Sequence, residues 1–127
     1  MKIKPGKILC FDIDNVICKT KGSDYKNSKP IKNNIKLINT LYLQGFYIKI
    51  FTARFMGRNN ENSFKAKKAG FDFTNNQLKK WKLKYDKLIF GKPSYDIFVD
   101  DRCLFYKKNW HKSLINFLQK RKWITYS

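Results

Sequence analysis

The chain has 127 residues, of which 43% are hydrophobic, and its 28 basic residues against nine acidic ones give a net charge of +19. This length suits one core, so we expect a single domain over residues 1–127. No apolar stretch approaches the roughly 18 residues that span a membrane, and one histidine with three scattered cysteines argues against a zinc site. We therefore expect a cytoplasmic protein with free thiols and no membrane partner.

The positive charge has two interpretations. Basic surfaces hold phosphate backbones, so nucleic acid is one candidate partner. The cations are 24 lysines and only four arginines, spread along the whole chain, whereas dedicated phosphate contacts favour arginine forks. We favour a solvated basic surface and keep the nucleic-acid partner as the alternative. The sequence does not indicate the oligomeric state.

The first half of the chain predicts two strands and a helix. An apolar run at residues 7–12 is typical of a strand buried on both faces of a parallel sheet. Residues 16–29 are polar and predict a loop. Ser28 can cap a helix with Pro30 in its first turn, and Gly45 ends the helical pattern. A second strand is expected at residues 46–51.

The second half predicts two more strands, at residues 87–90 and 97–99. Between the second and third strands we expect a polar loop over residues 55–62, a short helix that stops at Gly70, and a third helix that begins at a capping box of Thr74 and Gln77. Trp110 and Leu114 belong to the apolar face of a closing helix. Strands alternating with helices predict an α/β fold with a parallel sheet and right-handed crossovers.

Polar side chains follow each predicted strand at its carboxyl end. In chain order they are Asp12 with Asp14, then Thr52, then Lys92, and finally Asp100 with Asp101. The carboxyl ends of parallel strands converge on one edge, where open α/β sheets bind ligands. We therefore expect these side chains to form one site.

The spacing of Asp12 and Asp14 favours a metal ion. Residues i and i+2 of extended chain point to the same side, roughly 7 Å apart. A divalent cation removes their repulsion most simply, and hard oxygen ligands suit Mg²⁺. The alternative is an Asp-x-Asp pair that only caps a turn.

This set of side chains suits phosphoryl chemistry. Thr52 can bond a phosphoryl oxygen, and Lys92 can offset its charge. One aspartate can act as nucleophile and form an aspartyl-phosphate. A second carboxylate can protonate the leaving oxygen and then activate water.

Several motifs resemble the haloacid dehalogenase (HAD-like) hydrolase superfamily. Asp12-Ile13-Asp14-Asn15-Val16 is similar to its first motif, Asp-x-Asp-x-Thr/Val. Thr52, Lys92 and the pair Asp100-Asp101 match its later motifs, and the resemblance covers residues 7–102. Asn15 departs from the glycine or aspartate that is commonest at its position.

The resemblance implies the fold and the role of each residue. The fold would be a Rossmann-like three-layer sandwich whose strands, numbered along the chain, lie in the order three-two-one-four. Asp12 would be the nucleophile and Asp14 the general acid/base, while Thr52 and Lys92 would hold the phosphate. The implied Mg²⁺ ligands are Asp12, the Asp14 carbonyl, Asp100 and Asp101.

Four short segments also resemble the small bacterial phosphatases of capsular polysaccharide synthesis, which are linked to sugar phosphates. The segments are Asp24-Tyr25-Lys26-Asn27 ahead of Pro30, Thr52-Ala53-Arg54, Gly91-Lys92-Pro93 and Asp100-Asp101-Arg102. This resemblance implies a Mg²⁺-dependent phosphomonoesterase acting on a small sugar phosphate. The alternatives are a nucleic-acid-end or nucleotide phosphatase and a non-catalytic phosphate- or nucleic-acid-binding module.

We expect no cap domain, because residues 16–30 predict a loop and residues 54–87 are used by two short helices. Substrate selectivity would then come from Lys26, Arg54 and Arg58, or from a neighbouring subunit. The alternative for both arginines is ordinary solvated charge.

Overall fold

A computed structural model describes residues 7–124 of the chain. They form two compact units, divided between Ser94 and Tyr95, and the single-domain organisation stays a prediction. No helix in this range is long and apolar enough to cross a membrane. The elements are β1 (Ile8–Phe11), β2 (Cys18–Lys19), β3 (Lys29–Pro30), α1 (Lys32–Leu43), β4 (Tyr47–Thr52), α2 (Ser63–Lys80), β5 (Lys87–Phe90) and α3 (Trp110–Lys120), with short 3₁₀ helices at Tyr25–Asn27 and Gly57–Asn59.

The main sheet of the first unit is parallel, with three strands in the order β1-β4-β5. Helix α1 connects β1 to β4, and helix α2 connects β4 to β5. Phe11 lies opposite Ile50, and Thr52 lies opposite Phe90, so the carboxyl ends of neighbouring strands share one edge. This confirms the α/β class with a parallel sheet and is consistent with a Rossmann-like fold. The three-layer sandwich of the HAD-like family stays a prediction.

The core of this unit lies between β4 and α1, which are in contact. β4 alternates buried and half-buried positions, and every second residue is buried: Ile48, Ile50 and Thr52. Helix α1 buries the apolar positions Ile35, Leu37, Ile38 and Leu41. Each buried aliphatic side chain contributes about 1.5–3 kcal/mol relative to an exposed one. These residues therefore hold the central strand in place.

β1 is less buried than its apolar sequence predicts. Ile8 is 55% exposed, and Cys10 is also exposed. The reason is that β1 lies at the edge of the three-stranded sheet. An apolar run predicts a strand but not its place in the sheet. Apolar packing would favour buried cysteine side chains; the structure buries Cys18 but leaves Cys10 and Cys103 exposed.

Residues 16–30 contain more structure than the predicted loop. β2 and β3 form an antiparallel pair in which Cys18 lies opposite Pro30. Helix α1 begins only after Ile31, its N-cap residue, so the predicted helix start at Ser28 is wrong. The Ser28 hydroxyl instead lies 2.6 Å from that of Thr20.

One continuous helix, α2, replaces the two short helices predicted between residues 63 and 80. Gly70 lies inside α2, where an added Cβ would collide with the ring of Phe55. Thr74 also lies inside α2 and is fully buried. Gly70 and Thr74 are therefore packing residues inside one helix. The sequence predicts a helix end at Gly70 and a helix start at Thr74, and both predictions are wrong.

The second unit contains α3, which buries Trp110, Leu114 and Leu118 as the helical spacing predicts. The strand predicted at residues 97–99 is not formed, and Ile97 and Val99 are 82% and 92% exposed. A three-residue apolar run makes few ladder bonds, and in the described part of the chain this run belongs to no sheet. The prediction of a fourth strand ending at the acidic pair is therefore wrong.

Candidate active site

Asp12 lies directly after β1, at the carboxyl edge of the sheet. The chain turns sharply behind it, because the carbonyl of Ile13 accepts the N–H groups of Val16, Ile17 and Cys18. Asp12 Oδ1 accepts the N–H of Ile13 at 2.8 Å. The tight turn fixes the orientation of the carboxylate at the strand end.

Lys92 brings a positive charge to Asp12, with 3.3 Å between its Nζ and Asp12 Oδ2. It follows Gly91, whose φ of +99° favours glycine and whose Cβ position would lie 2.9 Å from Ser63 Cβ. The Lys92 N–H donates to the carbonyl of Thr52 at 3.2 Å. The ends of β1, β4 and β5 are thus connected through Lys92.

Burial raises the pKa of Asp12 above its ordinary value, and the neighbouring carboxylate of Asp14 adds to the rise. The Lys92 cation and the Ile13 N–H act in the opposite direction and lower the Asp12 pKa. The Lys92 cation therefore favours the ionised form of the Asp12 carboxylate and partly offsets the effect of burial.

Lys92→Met is expected to raise the Asp12 pKa further, because the substitution removes a lowering influence and leaves the burial unchanged. Carboxyl ¹³C NMR of the metal-free protein, titrated with acid, measures this pKa. Lys36→Met, an exposed lysine substitution on α1, is the control. An Asp12 titration that does not differ between the two variants would contradict the ion pair.

Asp14 is paired with a buried arginine. Arg54 is only 1% exposed. Its Nη2 lies 2.9 Å from Asp14 Oδ1, and its Nε lies 3.1 Å from Oδ2. The Thr20 hydroxyl donates to Oδ1 at 2.6 Å. This fork of two guanidinium donors holds the carboxylate in one orientation.

Gln77 and Tyr25 hold Arg54 in turn. Arg54 Nη1 donates to Gln77 Oε1 at 2.6 Å, and Gln77 Nε2 donates to the Tyr25 carbonyl at 2.8 Å. The Arg54 guanidinium carbon lies 4.7 Å from the centroid of the Tyr25 ring. The sequence predicts that Gln77 belongs to a helix cap. Its contact with Arg54 follows from no local pattern, because the two residues are 23 positions apart in the chain.

Thr52 and Asn15 have local structural roles at this edge. Thr52 is fully buried, and its Oγ1 accepts the N–H of Arg54 at 3.0 Å. The phosphate-binding role of Thr52 stays a prediction. Asn15 has a φ of +67°, in the left-handed region that glycine, asparagine and aspartate tolerate best. Asparagine is therefore compatible with the backbone conformation at this position.

The structure thus brings together Asp12, Asp14, Thr52, Arg54 and Lys92 at the carboxyl edge of the first unit. Lys26 and Arg58 line a pocket between the 3₁₀ segments and α2, while Asp100 and Asp101 are exposed residues of the second unit. Asp100 Oδ1 accepts the N–H of Arg102 at 2.8 Å, which is a turn contact.

The donor set fits Mg²⁺ at Asp12 but not at the Asp14 side chain. The Asp12 side chain is 35% exposed and offers the hard oxygen atoms that Mg²⁺ prefers. Both carboxylate oxygens of Asp14 accept hydrogen bonds from Arg54. The carbonyl of Asp14 is therefore the better candidate ligand. The participation of Asp100 and Asp101 stays a prediction.

No family model and no curated protein matches the chain. Among solved structures, the crystal structure of a Vibrio cholerae target protein matches with a TM-score of 0.75 and 26% identity, over 91% of this chain and 98% of that one. Chains of the Pnkp1/Rnl/Hen1 complex and of the Pnkp1/Rnl/Hen1 RNA repair complex match with TM-scores of 0.47 and 0.49, each at 17% identity. These two matches cover 75% and 87% of this chain and only 30% and 31% of those chains, too loosely to support a functional assignment. The chain therefore shares its fold with the Vibrio cholerae protein over nearly the whole length of both.

Proposed function

We propose that this chain is a HAD-type phosphomonoesterase that uses Asp12 as its nucleophile. The observation that carries the proposal is the pairing of Asp12 with Lys92 at the carboxyl edge of the sheet, 3.3 Å apart. A nucleophile beside a cation is the arrangement that attack on an anionic phosphate requires, since the cation offsets the charge of both. Asp14 lies two residues farther on and is held by Arg54.

The reaction has two displacements at phosphorus. An Asp12 carboxylate oxygen attacks, the bond from phosphorus to the leaving oxygen breaks, and that oxygen takes a proton from Asp14. Water then attacks the phosphorus of the aspartyl-phosphate and gives a proton back to Asp14. The Asp12–phosphate bond breaks, which releases inorganic phosphate and restores the Asp12 carboxylate.

Within Asp14, we assign the proton transfers to Oδ2. Oδ1 already accepts hydrogen bonds from Thr20 and from Arg54 Nη2. Oδ2 accepts the Nε–H of Arg54 at 3.1 Å. A carboxylate has about four acceptor sites, so Oδ2 keeps capacity for the leaving oxygen or a water molecule. In this proposal Arg54 touches Asp14 and acts as a positioning residue.

Asp14→Asn is expected to slow esters of basic alcohols more than esters of acidic leaving groups, because an acidic leaving group needs no proton. kcat/KM measured for a series of aryl and alkyl phosphates at low temperature, with folding checked by circular dichroism, gives this dependence. The matched control is Asp72→Asn, at an exposed position of α2. Equal losses across the whole series would remove Asp14 from proton transfer.

Mg²⁺ is the cofactor in this proposal, with Asp12 and the Asp14 carbonyl as its ligands from the first unit. Asp100 and Asp101 are the further ligands that the sequence resemblance assigns. When bound, the ion would neutralise the charge of the incoming phosphate. The substrate would be a small sugar phosphate of the kind used in surface polysaccharide synthesis, a choice that depends on the narrower sequence resemblance.

A substrate panel tests this function and its alternative. We expect the best sugar phosphate to exceed nucleoside monophosphates and a phosphorylated oligonucleotide in kcat/KM at roughly 150 mM salt, where the Debye length is about 8 Å. Chelation should remove the activity, and Mg²⁺ should restore it. Folded, Mg²⁺-supplied protein that hydrolyses no phosphate ester would contradict the proposal.

The alternative of a nucleic-acid-end phosphatase is motivated by the net charge of +19. It predicts that the oligonucleotide is the better substrate under the same conditions. It also predicts that charge reversal at remote lysines lowers the oligonucleotide rate; the lysines to reverse are Lys79, Lys80, Lys120 and Lys122. If both results were obtained, the sugar phosphate would be replaced as the substrate.

A further inference from the structure

A small pocket lies within the first unit, beside the buried Arg54. Its cavity volume is about 290 Å³, and its lining combines three aromatic rings with charged and polar groups: Ser23, Asp24, Tyr25, Lys26, Phe55, Arg58 and Phe73. Ligand pockets in proteins usually measure about 300–1,000 Å³. This pocket lies near the lower end of that range, a size that suits one ring-sized group.

The aromatic wall of the pocket is built around Phe55. Its ring centroid lies 5.2 Å from that of Tyr25 and 6.4 Å from that of Phe73. Phe55 has a φ of +68°, which is unfavourable for a bulky residue. Its ring lies against Gly70, where any larger residue would collide with it. The unfavourable φ of Phe55 and the missing side chain at Gly70 together determine where the Phe55 ring lies. A strained position of this kind suggests that the ring has a role in binding.

Arg58 covers this wall with a positive charge. Its guanidinium carbon lies 4.6 Å from the Phe55 centroid and 5.4 Å from the Tyr25 centroid, and its Nη2 donates to the Ser23 carbonyl at 3.1 Å. Arg58 therefore brings hydrogen-bond donors to the Tyr25 and Phe55 side of the wall, while the ring of Phe73 on the same wall is 38% exposed. The Asp24 carboxylate accepts the Asn27 amide at 3.1 and 3.0 Å, and its remaining acceptor sites can bind hydroxyl groups.

Tyr25 connects the pocket to the candidate active site. One ring contacts two guanidinium groups, that of Arg58 in the pocket and that of Arg54 at 4.7 Å. Arg54 holds Asp14 directly, and Gln77 bonds both Arg54 and the Tyr25 carbonyl. The pocket and the proton-transfer carboxylate therefore belong to one connected set of contacts.

We propose that this pocket binds the leaving group of the substrate, and that this group is a single polyhydroxylated ring, as in a monosaccharide phosphate. The proposal rests on the phosphatase function above and assigns Tyr25, Phe55 and Arg58 as specificity-determining residues. The ring lies against the apolar wall, its hydroxyl groups bond Arg58 and Asp24, and its phosphate extends to Asp12. Phosphate esters without a ring leave the pocket empty.

The test compares the best of a set of hexose phosphates with acetyl phosphate, which has no ring. In Arg58→Met, the ratio of kcat/KM for the hexose phosphate to that for acetyl phosphate is expected to fall about tenfold. Phe55→Leu should lower the same ratio. Phe64→Leu, at an aromatic position of α2 that is 76% exposed, is the matched control and should keep the wild-type ratio. Circular dichroism confirms that each variant is folded.

Binding to the Asp12→Asn protein gives a readout that needs no turnover. Calorimetry should show that Arg58→Met weakens binding of the same hexose phosphate about tenfold in that background. Equal loss for both substrates, or unchanged binding, would overturn the assignment of the pocket while the phosphatase function stands. A nucleoside phosphate that depends on Phe55 and exceeds every hexose phosphate would overturn the sugar assignment. If the wild-type protein hydrolysed no phosphate ester at all, that result would instead contradict the proposed function itself.

Discussion

Asp12→Asn is expected to abolish phosphate-ester hydrolysis and to leave the fold intact. Asparagine keeps the shape of the side chain but has no anionic oxygen that can attack phosphorus, and losing a nucleophile lowers kcat on the order of 10⁴-fold or more. Stability should change little, because burial already disfavours the charged form of Asp12, as its raised pKa indicates. The loss of the contact with Lys92 acts in the opposite direction.

The measurements are kcat with a good aryl phosphate and the midpoint of thermal unfolding. Asp72→Asn, which removes an exposed carboxylate from α2, controls for the change of one charge. A folded Asp12→Asn protein that hydrolyses the ester at nearly the wild-type rate would remove Asp12 from the mechanism.

The second large effect concerns the pair formed by Arg54 and Asp14, and it should be asymmetric. The Arg54 side chain is 0% exposed and that of Asp14 is 21% exposed. Breaking a buried ion pair costs about 3–5 kcal/mol, because one charge remains buried without its partner. Asp14→Asn leaves the fully buried Arg54 cation without its partner, so it should lower the free energy of unfolding by an amount near the top of this range. Arg54→Met leaves a carboxylate that water can reach, and it should cost less.

Urea unfolding of the two single variants and of the double variant measures these free energies. The double variant should be destabilised by less than the sum of the single variants, because both remove the same interaction. Arg102→Met, at an exposed arginine of the second unit, is the control. Additive effects, or a larger cost for Arg54→Met than for Asp14→Asn, would contradict the buried-pair account.

The sheet of the first unit could be predicted closely from the sequence. Strands expected at residues 7–12, 46–51 and 87–90 form at Ile8–Phe11, Tyr47–Thr52 and Lys87–Phe90. Each is an apolar run ended by glycine or by polar residues, and such local signals do not depend on distant contacts. The errors arose where tertiary packing decides the outcome. Gly70 accommodates a ring from another element, and the run at residues 97–99 has no ladder partner in the described chain.

In the candidate site, too, some contacts follow from local sequence patterns and others depend on tertiary packing. Asp12 and Lys92 could be placed together because each follows a strand of one parallel sheet, and their ion pair follows from that topology. The contacts of Arg54 could not be predicted, since Asp14 and Gln77 reach it across 40 and 23 positions of the chain. Its residue type predicts a surface contact with substrate, whereas the structure buries it beneath Asp14.

The covalent role of Asp12 is tested most directly by rapid acid quenching of the wild-type protein during turnover, followed by mass spectrometry of its peptides. An acyl phosphate survives acid long enough to be located in the peptide that contains Asp12. The account predicts one phosphoryl group on Asp12 in the wild type and none in Asp12→Asn. A phosphoryl group on another residue, or steady turnover with no phosphorylated peptide at any time point, would contradict it.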